Sequence, residues 1–158
     1  MAKLAPKLPW PENLWAGITI EHSDYLYRAD LLRSFNPALR FIVAEPLLSS
    51  LRNLDLTGIG GLVVGGESEH GNNRGSLRAM KKAWVIELRD KCQAAKVPFF
   101  FKQWGEAFGN PDADYSKFRG GCVLDGKVYH ERPPLIPPPA KSALIIESIF
   151  EDIEETGF

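Results

Sequence analysis

Residues 62–68 read LVVGGES. The apolar residues are continuous rather than alternating, the pattern of a strand covered on both faces, as in a parallel sheet. The run stops at Gly65-Gly66 and opens into Glu67, Ser68, Glu69 and His70. Three more runs share this form: 14–20 (LWAGITI), 41–44 (FIVA) and 97–101 (VPFFF). Helical patterns lie between them. Ser23 or Asp24 is placed to cap a helix running to about Phe35, stopped by Asn36-Pro37. Leu77, Met80, Trp84, Leu88, Cys92 and Ala95 form one stripe of 3.6-residue period, which predicts a helix over 76–95. The link over 46–59 has room for one or two helical turns. Strand and helix in alternation predict an α/β fold with about four parallel strands and flanking helices.

Past Gly105 the pattern changes. GCVLDGKVYH (121–130) predicts a hairpin turning at Asp125-Gly126. Five prolines between Pro133 and Pro139 predict a stiff linker. Leu144, Ile145, Ile149 and Ile153, with acids opposite, predict a short amphipathic helix over 143–153. The chain therefore divides into an α/β domain over 1–133 and a Pro-rich, acidic segment over 134–158.

Every strand end carries chemistry. The first three runs finish at Glu21, Glu45 and Glu67, and the fourth at Lys102-Gln103. In a parallel sheet these ends share one side, where α/β proteins place their ligands. Glu21, Glu45, Glu67, Ser68, Lys102 and Gln103 are thus the candidate ligand-binding residues. Such a ring suits a divalent cation held through oxygen, or an amino or hydroxyl group of a substrate. The competing reading is a set of salt bridges closing the top of the sheet. Neither a dinucleotide fingerprint nor a P-loop is present, because the spacing around Gly58, Gly60 and Gly65 fits neither. His22 and His70 follow strand-end glutamates and are candidate bases or ligands, His130 a weaker one. No order of nucleophile and base supports covalent catalysis, and no catalytic residue is assigned.

Bulk properties narrow the classes. The 158 residues carry a net charge of −1, so no global field draws the chain to nucleic acid or an anionic membrane. Locally, Arg74, Arg78, Lys81, Lys82 and Lys96 belong to a basic stretch, and 147–155 holds five acids and no base. Direct nucleic-acid binding is not expected from basicity without a motif. Cys92 and Cys122 are too few for a disulfide framework or a tetrahedral zinc site. No apolar run nears a membrane span, and a soluble, cytoplasmic protein is expected.

LPWPENLWAGITIE (8–21), RFIVAEPLL (40–48), LVVGGESE (62–69), LRDKCQAAKVPFFFKQWGE (88–106) and LDGKVYHERP (124–133) resemble a phage- and bacteria-associated family of uncharacterised proteins. Its full-length members resemble radical S-adenosylmethionine barrels with an N-terminal three-cysteine motif. The resemblance implies a partial, half TIM-type barrel that lacks the cluster-binding half. It implies no iron–sulfur cluster in this chain, with S-adenosylmethionine or a divalent metal as the ligands left open. A half barrel exposes unpaired edges. The expected solutions are a homodimer, a separately encoded barrel half, or cover from the hairpin and tail. The two functional readings are a remnant enzyme with its site at the strand ends, and a phage-encoded binding protein or inhibitor acting on a host or phage protein.

Overall fold

Each of the four apolar runs becomes a strand. The computed structural model describes residues 3–68, 76–107, 113–114 and 116–134. β1 (Trp15–Thr19), β2 (Leu39–Ala44), β3 (Gly61–Gly65) and β4 (Phe99–Gln103) form one parallel sheet in sequence order. Register places Gly17 beside Phe41, Val43 beside Val63, and Val63 beside Phe100. Alternation then sorts the side chains. Ile42, Leu62, Phe99 and Phe101 enter the core, where they meet helices α1 (Tyr27–Arg33) and α2 (Lys82–Ala95). Phe41, Val43 and Val63 face the other way and stay half-buried. Among the described residues the sheet does not close into a barrel, and no helix is long and apolar enough to cross a membrane.

The helices depart from their predicted bounds for local reasons. The first begins as a 3-10 turn, Ser23–Tyr25, whose N-cap is His22: its Nδ1 lies 3.3 Å from the Asp24 amide nitrogen and accepts its hydrogen bond. α1 then runs only to Arg33. The predicted helix over 76–95 starts six residues late, at Lys82. Residues 77–81 are held out of it because the Glu67 carboxylate takes both the Arg78 amide, at 2.7 Å, and its guanidinium. Met80 is buried all the same, but from a loop. The buried stripe of α2 is Val85, Leu88 and Cys92, with Trp84 half-buried beside it and Ala95 exposed.

The 46–59 link contains no helix, although Leu47, Leu51 and Leu54 are buried at helical spacing. Its serines hold the backbone in other shapes. Ser50 Oγ accepts from the Arg52 amide at 3.3 Å and donates to Glu87 of α2 at 2.5 Å, and Ser49 Oγ accepts from the Ser23 amide at 2.8 Å.

The predicted hairpin forms: β5 (Val123–Leu124) pairs with β6 (Lys127–Val128). Asp125 and Gly126 both have positive φ, as a tight two-residue turn requires. The chain then runs antiparallel to the outer side of β4. The Phe101 amide donates to the Tyr129 carbonyl at 2.7 Å, the Glu131 amide donates to the Phe99 carbonyl at 3.2 Å, and Phe100 stacks on His130. That edge of the sheet is sealed. His70, the loop over 71–75, the predicted 133–139 linker beyond Pro134, and the helix predicted over 143–153 lie outside the described residues.

Candidate functional site

The C-terminal ends of β2, β3 and β4 bring four of the six candidates into one hydrogen-bonded network. Lys102 Nζ lies 3.1 Å from each Glu45 carboxylate oxygen. Gln103 Nε2 donates to Glu45 Oε1 at 2.8 Å and reaches the Gly66 carbonyl at 3.2 Å and Ser68 Oγ at 2.9 Å. Gln103 is fully buried, and such a polar side chain persists only when bonded on all sides.

A bulge makes this convergence. Val64 pairs with Phe101, but Gly65 pairs with Gln103, so β4 carries one extra residue at this point. Strict alternation would send Lys102 and Gln103 to opposite faces. A bulge re-aims a side chain, and both reach the same carboxylate. Gly65 supplies the space: a methyl group there would sit 3.0 Å from the Glu45 carboxyl carbon. Gly66 lies against the Trp104 carbonyl, and Gly105, at φ +86°, fits a conformation that disfavours a side chain. The backbones of β3 and β4 therefore cross in close contact just beyond the network, joined by the Gly66 amide to the Gln103 carbonyl at 3.0 Å and the Glu106 amide to the Glu67 carbonyl at 2.9 Å.

The other two candidates are paired elsewhere. Glu67 meets the Arg78 guanidinium and amide, and Arg78 holds its carboxyl below the usual carboxylate range, chiefly through the side-chain hydrogen bond. Glu21 Oε2 lies 3.1 Å from Arg28, which also donates to the Thr19 carbonyl at 2.9 Å and lies over the Tyr25 ring. Each glutamate thus has its own cation. His22 caps a helix, and His130 stacks on β4. Among the described residues no group of three or more His, Cys, Asp or Glu side chains could hold a metal ion.

Residues 1–133 match the family described as Protein of unknown function (DUF5131). The chain belongs to the DUF5131 family. No curated protein and no solved structure matches it.

For this DUF5131 member, an iron–sulfur cluster of the kind the sequence resemblance implies for longer relatives does not fit the thiols present. Cluster ligation needs several thiolates together. Burial pushes the Cys92 thiol up to about 12 and raises Cys122 as well, so both are held as neutral thiols. Sequence reasoning missed Arg28 as the partner of Glu21, and named Arg78 only as part of a basic stretch, not as the partner of Glu67. Arg78 was hidden because its segment reads as the first turn of a helix. The bulge carried no sequence signal beyond Gly65-Gly66.

Proposed function

We propose that this DUF5131 chain binds a small zwitterion, an α-amino carboxylate group, at the strand ends, and that S-adenosylmethionine is the first ligand to test. The observation that supports this is the bulge-made cluster of Glu45, Lys102, Gln103 and Ser68. A ligand ammonium replaces Lys102 at the Glu45 carboxylate. The ligand carboxylate takes the released Lys102 ammonium and the Ser68 hydroxyl, while Gln103 keeps Glu45 in place. Opposite charges exchange partners, so no buried charge is left alone. The family resemblance favours the same ligand, because its full-length members resemble radical S-adenosylmethionine barrels. No bond-making step is assigned to this chain.

Isothermal titration of the full chain with S-adenosylmethionine tests the reading. One-to-one binding is expected, weakened roughly 10- to 100-fold in Glu45→Gln, the equivalent of one charge-assisted hydrogen bond at about 1.5–3 kcal/mol. Absence of heat with the native chain, or equal binding by the variant, would overturn it.

A further inference from the structure

The core occupies one face of the parallel sheet, and α1 and α2 both pack into it. The opposite face is apolar as well. Alternation puts Trp15, Leu39, Phe41, Val43 and Val63 there. All five are half-buried, and none belongs to the core cluster. Parallel sheets are as a rule covered on both faces, so this face calls for a second layer. Neither α1 nor α2 supplies it, since both lie on the core side. The described chain ends on this face and points across it. At Glu131 it runs outside β4, where the amide bonds the Phe99 carbonyl. Two residues later Pro133 is buried over Gly61 of β3. A methyl group on Gly61, which shares the open face, would stand 3.0 Å from the Pro133 ring. The backbone has therefore stepped over β4 and heads toward Phe41 of β2, the register neighbour of Gly61.

We propose that residues 143–153 of this same chain form an amphipathic helix that lies on the open face as its second layer. The sequence that follows Pro134 suits that place. On a helix, Ile145, Ile146, Ile149, Phe150 and Ile153 fall within an arc of about 140°. Glu147, Glu151, Asp152, Glu154 and Glu155 all fall outside that arc. The isoleucines therefore meet Phe41, Val43 and Val63 while every acid stays in water, and no charge is buried. Dimensions agree. A helix over 143–153 is about 16 Å long, the same as a five-residue strand such as β1 or β3. Residues 135–142, stiffened by three prolines, span up to about 25 Å. That exceeds the roughly 14 Å across the sheet from β4 to β1, so the segment reaches any part of the face.

A thiol placed on the face tests this in the full chain, because the native Cys92 and Cys122 are both buried. Val43→Cys is the first choice, and Val63→Cys on the next strand serves if that variant fails to fold. The introduced thiol is expected to react slowly with a chromogenic disulfide reagent, at a rate independent of protein concentration. Adding Ile149→Asp is expected to speed the reaction at least 10-fold with unchanged circular dichroism in the aromatic region. Adding Glu151→Gln, on the water side of the helix, is expected to leave the rate as it was. A rate indifferent to Ile149→Asp overturns the proposal. So does protection that appears only at high concentration, which would give the face to a second copy. Hydrogen exchange of the native chain supplies the remaining check: amides over 143–153 that exchange as fast as an unstructured peptide also overturn it.

Discussion

Gly66 is the most tightly enclosed of the glycines among the described residues. A methyl group there would lie far inside van der Waals contact distance of the Trp104 carbonyl oxygen, a backbone atom that cannot turn aside. Gly66→Ala is therefore expected to cost about 3 kcal/mol or more, the upper range of overpacking. Urea denaturation checks this, and a midpoint within error of the native chain would contradict the close approach. Gly17 makes a useful contrast, since what its methyl group would meet is the Phe41 ring on the half-buried face, which has room to rotate. Gly17 lies within an apolar run and Gly66 between Gly65 and Glu67, and neither setting names the atom that a side chain there would meet. What a missing side chain makes room for is set by the neighbouring strand, and so becomes visible only in three dimensions.

At the scale of elements, the strands were legible and the connections were not. Continuous apolar runs such as Phe41–Ala44 and Leu62–Val64 announce a parallel sheet, although only one face meets the core and Phe41, Val43 and Val63 stay half-buried. The two misread connections failed where polar side chains outcompeted a helical spacing of apolar ones. In the 46–59 link Ser49 and Ser50 won, and before α2 the Glu67 carboxylate won. The same competition decided how much of the site could be read. All six strand-end candidates lie at strand ends, but which of them meet was set by a bulge and two arginines.

The Glu67–Arg78 pair has a pH signature with a definite sign. Its folded carboxyl titrates below the unfolded value, so its contribution is complete above about pH 4.3 and is lost as pH falls through the depressed folded value. Arg78 is 60% exposed, which limits the pair to about 0.5–1 kcal/mol. The native chain is expected to exceed Glu67→Gln by that amount at pH 7, with the difference shrinking as pH falls through the depressed folded value. A difference that persists unchanged in acid, followed by chemical denaturation, would count against the pair.

For the molecule as a whole, the core lies on one side of the sheet, between it and α1, α2 and the leucine-lined link. Cys92 sits within that core and Cys122 is buried near the hairpin. Both thiols are expected to resist a chromogenic disulfide reagent at pH 8 in the folded chain and to react, two per chain, once guanidinium unfolds it. Rapid reaction of either in the native state would show that its region opens readily.

The sealing of β4 also bears on how the chain emerges during synthesis. All four parallel strands are complete once Gln103 has left the ribosome, yet the outer side of β4 gains its partner only when Tyr129 and Glu131 follow. For the span between, the outer side of β4 in a nascent sheet lacks the partner that residues 129–131 later supply. A stalled product ending near residue 120 is therefore the form of this protein most prone to clump with its neighbours. The hairpin at Asp125-Gly126, folding in microseconds on its own local turn, adds no further delay once those residues have emerged.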